Sequence, residues 1–176
     1  MTFKAICSDI DGTLLNSERS LSPNLIYIVS SISPEIPFFL ASARMPAAMR
    51  HLLQNLNRPK EPLIAYNGAL VLDAEGKELE SIHIPIHLVE EIVLLANDLT
   101  LHLSLLYGEE WHTLNEDYFA LREIENTKVV PSWTDPLVVI ELWKGNNHGA
   151  HKVMCMGDAT KIDALYQTLL QRLGTQ

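Results

Sequence analysis

The sequence predicts an α/β protein, a parallel sheet covered by helices followed by a smaller α+β module. Three observations carry this. Apolar strand-like runs alternate with helix-like segments from Phe3 to Tyr66, the order that builds a parallel sheet. The first run ends in Asp9-Ile10-Asp11-Gly12, two carboxylates at a strand terminus. After Asn67 the pattern changes to a hairpin and then to a mixed unit.

The elements follow in order. Phe3 to Ser8 is a short, mostly apolar run and reads as a buried strand. Ser22-Pro23 starts a helix, a hydroxyl cap followed by proline at the first helical position. Its apolar face is Leu25, Ile26, Ile28, Val29 and Ile32. Ile36 to Ala41 is a second strand with its proline near the beginning, where it is tolerated. Pro46 opens a helix to about Leu56, and Pro62 to Tyr66 is a third strand. Ala69–Leu72 and Lys77–Ile84 flank Asp73-Ala74-Glu75-Gly76, a hairpin with a glycine-containing turn. From about Pro85, Leu88, Ile92, Leu95, Ala96 and Leu99 mark an amphipathic helix, and Leu101 to Tyr107 alternates as a strand. Asn115 to Ile124 is expected to be helical, and Leu137–Trp143 and Lys152–Met156 to be strands. Asp158 caps a final helix with Ile162, Leu165, Tyr166, Leu169, Leu170 and Leu173 on one face. The expected division is residues 1–82 as the first domain and 83–176 as the second.

Composition narrows the function classes. A net charge of −9 argues against nucleic acid as the main partner, because phosphate-backbone binding needs a basic footprint. Cys7 and Cys155 are too few for a disulfide framework and read as reduced core residues. Lys4, Asp9 and Asp11 interrupt any secretory signal, and no apolar run reaches membrane-spanning length. The expectation is a soluble cytoplasmic protein with no membrane partner.

Asp9 and Asp11 lie two apart in extended backbone, so both side chains point the same way while Ile10 turns inward. Like charges so close repel, and a hard divalent cation such as Mg²⁺, which takes oxygen ligands, resolves the conflict. Gly12 permits a sharp turn. A pair of capping or turn aspartates is the structural alternative. Ser42 lies just before a helix start, where anions are favoured, and a simple strand-end or turn serine is the structural alternative. Arg44 and Asn67 face the same region if the strands pair as expected, and Arg44 could also be a solvated surface group. Trp111 and His112 could contact a ligand but suit a core, and His148 and His151 lack further ligands for a zinc site.

The stretch "DIDGTLL" after the first strand resembles motif I of the haloacid dehalogenase (HAD) superfamily, and "LASARMP" its second motif. "IAYNGALVLDAEGKEL" is similar to the Asn-Gly-Ala segment and hairpin of Cof-type members. "LSLLYGEEWHTLNEDYFALREIE" and "HKVMCMGDATKIDALYQTLLQRLG" resemble parts of their large cap. The resemblance implies a Rossmann-like core with an α+β cap, acting as a Mg²⁺-dependent phosphatase of small phosphorylated metabolites such as sugar phosphates. It makes Asp9 the nucleophile, forming an aspartyl-phosphate, and Asp11 the general acid and base. It implies that Mg²⁺ is held by the Asp9 carboxylate and the Asp11 main-chain carbonyl. Ser42 would bind a phosphoryl oxygen with the N–H groups of Gly12 and Ala43, and Arg44 and Asn67 would touch substrate.

The family pattern continues after the cap with a lysine and a Gly-Asp segment. "MGDATKID" at Met156–Asp163 resembles the latter, but Asp158 leads a helix whose register suits a cap. The expectation is therefore a partial core, with the C-terminal half lacking and phosphatase activity impaired. The alternative is a catalytically incompetent fragment that binds a ligand or partner. Such a chain is expected to form a homo-oligomer, or to recruit a complementing C-terminal half, through an exposed core edge.

Overall fold

The computed structural model describes residues 3–146 and 148–174. The chain divides into two compact units, Met1–Ile82 with Asn126–Val129, and His83–Glu125 with Val130–Gln176.

The first unit is built on a five-stranded sheet in the order β1-β2-β3-β4-β5. These strands are Ile6–Ser8 (β1), Phe38–Ala41 (β2), Leu63–Ala65 (β3), Leu70–Leu72 (β4) and Glu78–Ser81 (β5). β1, β2 and β3 run parallel, with Ser8 opposite Leu40 and Ala41 opposite Ile64. The hairpin then adds β4 and β5 antiparallel. Its turn is fixed by Asp73, whose Oδ1 accepts the N–H groups of Glu75 (3.1 Å) and Lys77 (2.8 Å). Gly76 sits at φ +85, a left-handed conformation that costs a glycine little. Helix α1 (Pro23–Ser31) starts where Ser22 Oγ accepts the Leu25 N–H at 3.2 Å. Helix α2 (Ala47–Asn55) buries Ala48, Met49, Leu52 and Leu53, the 3.6-residue stripe that packs into this unit's core.

The second unit has a four-stranded sheet in the order β8-β7-β6-β9. The strands are His102–Tyr107 (β6), Glu110–Thr113 (β7), Ser132–Trp133 (β8) and Lys152–Met156 (β9). The helices are Ile86–Asp98 (α3), Tyr118–Thr127 (α4, whose last two residues fall in the first unit), Pro136–Gly145 (α5) and Ala159–Leu173 (α6). Leu101, Leu103 and Leu105 pack against Val89 and Val93 of α3, Val139, Ile140 and Trp143 of α5, and Leu165 of α6. The alternate residues His102 and Ser104 therefore point to the opposite face of the sheet.

Several expectations need correction. Leu137–Trp143 is helical. Asp135 Oδ1 accepts the Leu137 N–H at 2.9 Å and Pro136 stands at the first helical position, so capping overrides the β-branched composition. The helix expected at 115–124 begins at Tyr118, because Asp117 Oδ1 takes the N–H groups of Phe119 (3.0 Å) and Ala120 (2.9 Å). Cys7 is exposed on the edge strand β1 instead of buried in a core. The expectation of a partial core is also corrected, since both sheets of the α/β fold, core and cap, are formed and packed. Among the described residues no helix is long and apolar enough to cross a membrane.

Candidate active site

The carboxyl ends of three adjacent parallel strands bring the candidate residues to one edge of the first sheet, the location where open α/β sheets bind ligands. Asp9 follows β1 and is exposed. Its Oδ2 accepts the Thr13 hydroxyl at 3.4 Å, and its carbonyl accepts the Ser8 hydroxyl at 2.8 Å. Ile10 is fully buried and anchors the turn, its carbonyl accepting the N–H groups of Leu14 and Leu15, both at 3.0 Å. Gly12 lies at φ +79, which a side chain would strain.

Ser42 closes β2 and is buried. Its N–H donates to the Ile64 carbonyl at 2.9 Å, and its Oγ accepts the Arg44 N–H at 3.2 Å. The Ser42 carbonyl accepts the Asn67 N–H at 2.9 Å, and the Arg44 carbonyl accepts the Tyr66 N–H at 3.1 Å. These bonds tie the ends of β2 and β3 together. They hold Tyr66 (φ +51) and Asn67 (φ +57) in left-handed backbone, sparsely populated for residues other than glycine. Such strain often marks functional turns. The Asn-Gly pair was legible in the sequence, but the left-handed Tyr66 was not.

Arg44 is buried, contrary to the solvated alternative, and its guanidinium grips Asp11. Nε donates to Oδ2 at 2.9 Å and Nη2 to Oδ1 at 2.7 Å, the bidentate fork that carboxylates favour. Arg19 adds a contact to Asp11 Oδ1 at 3.5 Å. Asp11, Ser42, Arg44 and Asn67 thus form one connected group. Asp9 stands beside it as the open carboxylate, and Gly12 and Ala43 belong to the two turns. Among the described residues no three His, Cys, Asp or Glu side chains stand together as a metal cluster. The residues at the turn nevertheless fit Mg²⁺ in donor type. Asp9 offers an exposed carboxylate and Asp11 a main-chain carbonyl, both oxygens of the kind this ion takes.

The second unit holds a network that sequence reading missed. His102 Nδ1 meets Asp117 Oδ2 at 2.8 Å, and His102 Nε2 meets Ser104 Oγ at 2.9 Å. Trp111 Nε1 donates to the same hydroxyl at 2.9 Å. The distances are those of a hydrolytic Ser-His-Asp triad. Ser104, however, is 0% exposed. A cleft of about 450 Å³ reaches His102 and Asp117, but Ser104 does not line it. The network satisfies buried polar groups instead of presenting a nucleophile. Partial burial tends to raise the Asp117 pKa, but the Ala120 N–H and the His102 partner outweigh it and hold the carboxyl below its ordinary value. The spacing His-x-Ser on one strand face was the available signal.

Trp111 is core, as its sequence alternative held. His148 and His151 each stack on Tyr107, at ring distances of 4.6 and 4.7 Å. His151 Nδ1 accepts the Gly108 N–H at 2.9 Å. Burial, aided by the nearby His83, lowers the His151 pKa to about 4.

A strand-end aspartate, a second aspartate two residues on and a buried serine after strand two stand together at adjacent strand ends of an α/β sheet. Residues 6–176 match the family model for haloacid dehalogenase-like hydrolases, and the chain belongs to that family. It is 28% identical over 167 residues to a Haemophilus influenzae protein provisionally named a phosphatase, covering 92% of this chain and 60% of that one. A haloacid dehalogenase-like hydrolase from Bacteroides thetaiotaomicron has a similar structure, with a TM-score of 0.86 and 25% identity, covering 98% of this chain and 65% of that one. A Thermotoga maritima structure shares the fold with a TM-score of 0.83 and 21% identity, covering 99% and 64%. The chain thus spans less than two thirds of the length of these relatives. The matches run through core and cap alike, and they overturn the reading of an impaired fragment with a partial core. They support a HAD-type hydrolase fold with both sheets in place.

Proposed function

We propose that this chain carries the reactive centre of a Mg²⁺-dependent phosphatase acting on small phosphorylated metabolites, with a Cof-type cap. The observation that carries the reading is the open Asp9 carboxylate beside the Asp11–Arg44 pair and Ser42 at adjacent strand ends. An Asp9 oxygen attacks phosphorus, the bond to the leaving alcohol breaks, and the alcohol leaves with a proton from Asp11. Asp11 then takes a proton from water, which attacks the aspartyl-phosphate and restores Asp9. As an acceptor from Arg44, Asp11 cannot donate a proton. Arg44 must therefore transfer its N–H groups to a phosphoryl oxygen as the ester arrives. Ser42, with the N–H groups of Gly12 and Ala43, holds the phosphoryl oxygens, and Asn67 orients the ester. The Asp9 carboxylate and Asp11 carbonyl would hold Mg²⁺, which when bound screens nucleophile from phosphate.

The test is turnover of p-nitrophenyl phosphate by the wild type with Mg²⁺, with EDTA, and by Asp9→Asn. Chelation should abolish turnover reversibly, and Asp9→Asn should lower kcat by about 10⁴-fold or more, the scale of losing a nucleophile. Wild-type turnover in Asp9→Asn would remove Asp9 from the mechanism.

A further inference from the structure

Asp11 meets two guanidinium groups, and they hold it differently. Arg44 takes both carboxylate oxygens, with Nε on Oδ2 at 2.9 Å and Nη2 on Oδ1 at 2.7 Å. Arg19 approaches Oδ1, its Nη1 standing at 3.5 Å. Stability does not account for the Arg19 contact. Its side chain is 50% exposed and that of Asp11 47%, and such ion pairs contribute about 0–1 kcal/mol. The loop that presents Arg19 is nevertheless closely braced. Asn16 Oδ1 accepts the N–H groups of Glu18 (3.0 Å) and Ser20 (2.9 Å) and the Ser20 hydroxyl (3.1 Å). The Asn16 N–H donates to the Ser20 carbonyl at 3.0 Å, and the Arg19 N–H to the Asn16 carbonyl at 2.9 Å. These bonds hold Arg19 at φ +55, with its guanidinium turned back to the carboxylate.

While Arg44 occupies both oxygens, Asp11 has no oxygen to spare for the proton of a leaving alcohol. Once Arg44 turns to a phosphoryl oxygen, Oδ2 is vacated and the bidentate grip on the carboxylate is gone. Arg19 needs to close by only about 0.6 Å to reach ordinary hydrogen-bond distance from Oδ1. We propose that Arg19 is a positioning residue that holds Asp11 Oδ1 when Arg44 moves to the phosphoryl group. Oδ2 is then left open, and its proton passes to the alcohol oxygen as the P–O bond breaks. This deepens the phosphatase reading and rests on it.

The experiment compares two esters that differ in their need for a proton donor. p-Nitrophenolate leaves without a proton, whereas the alkoxide of 2-hydroxyethyl phosphate does not. Turnover of both is measured for the wild type, Arg19→Ala and Arg19→Lys. Arg19→Ala should lower kcat/KM for the alkyl ester about tenfold and for the aryl ester less than about twofold, part of what a placed general acid supplies. Arg19→Lys, which keeps a single donor for Oδ1, should recover most of the loss. The second readout is the Arg19 guanidinium N–H signal in ¹⁵N NMR, which should sharpen when saturating inorganic phosphate draws Arg44 away. An unchanged ester ratio in Arg19→Ala, with turnover intact, overturns the inference and leaves the phosphatase reading standing. An equal loss on both esters, or no recovery in Arg19→Lys, overturns it likewise. Sharpening of the Arg19 signal by phosphate, with neither ester turned over by the wild type, supports the handover and removes the phosphatase reading. Neither turnover nor sharpening overturns both.

Discussion

Each unit contains a hydroxyl, a carboxylate and a nitrogen group joined by hydrogen bonds, and the two sets differ in what covers them. In the first, Ser42 and Arg44 are buried behind Asp11, whose side chain is 47% exposed, and Asp9 is open beside them. In the second, Ser104, His102 and Asp117 reproduce triad distances, but the hydroxyl is sealed and also accepts from Trp111. Distances alone do not choose between the two sets. A nucleophile must be reachable, and of the two sets only the first presents an exposed candidate.

The comparison can be broken first at the second unit's frame. All three tryptophans, Trp111, Trp133 and Trp143, lie in that unit, so their fluorescence follows its unfolding selectively. A Cβ on Gly149 would stand 1.9 Å from the Ile84 carbonyl oxygen and 2.6 Å from His83 Nδ1. Gly149→Ala must therefore disrupt the Ile84–Ala150 bridge, whose two hydrogen bonds measure 2.8 and 3.2 Å. The expected cost is about 3 kcal/mol, at the upper end for overpacking. Denaturant unfolding read by tryptophan emission checks it, and an unshifted midpoint would mean that the bridge is dispensable.

A smaller loss is expected at the sealed hydroxyl. Ser104→Ala leaves the Trp111 N–H and a His102 nitrogen without their partner, costing about 1–3 kcal/mol. Adding Trp111→Phe should recover part of that loss, because one orphaned donor goes with it. Strict additivity of the two substitutions would argue against a shared network.

The effect that vanishes at neutral pH is a pH dependence. The His151 pKa is lowered by burial to about 4 from an unfolded value of 6.5. Above pH 6.5 the group is neutral in both states and contributes no pH dependence. As pH falls from 6.5 to about 4 the unfolded chain gains the proton and the folded one does not, so stability drops through that window. Replacing His151 with Gln should flatten this acid limb of the midpoint-against-pH curve. An unchanged slope would assign the dependence to other groups.

The sequence made the strand–helix order of the first unit legible because its signals are local. Ser22-Pro23 caps α1, proline marks the approach to β2 and β3, and Asp73–Gly76 makes the hairpin turn. Leu137–Trp143 misled because apolar, β-branched composition suits a buried helix as well as a strand, and the Asp135-Pro136 cap was the deciding signal. At the candidate site, motif spacing picked out Asp9, Asp11 and Ser42. The grip of Arg44 on Asp11 bridges residues 33 apart and depends on strand pairing that no short window contains. Ser104, His102 and Asp117 were invisible as a network for the same reason. The left-handed backbone at Tyr66 and Arg19 had no compositional mark, since neither is glycine.

The central claim is that chemistry belongs to the open aspartate of the first unit and stability to the sealed serine of the second. Asp9→Asn and Ser104→Ala, measured side by side for p-nitrophenyl phosphate turnover and for the tryptophan-reported unfolding midpoint, test it most directly. Asp9→Asn should lose turnover and keep the midpoint, whereas Ser104→Ala should lower the midpoint and keep turnover. Loss of turnover in Ser104→Ala with its midpoint intact, together with an active Asp9→Asn enzyme, would place the chemistry in the second unit and contradict the account.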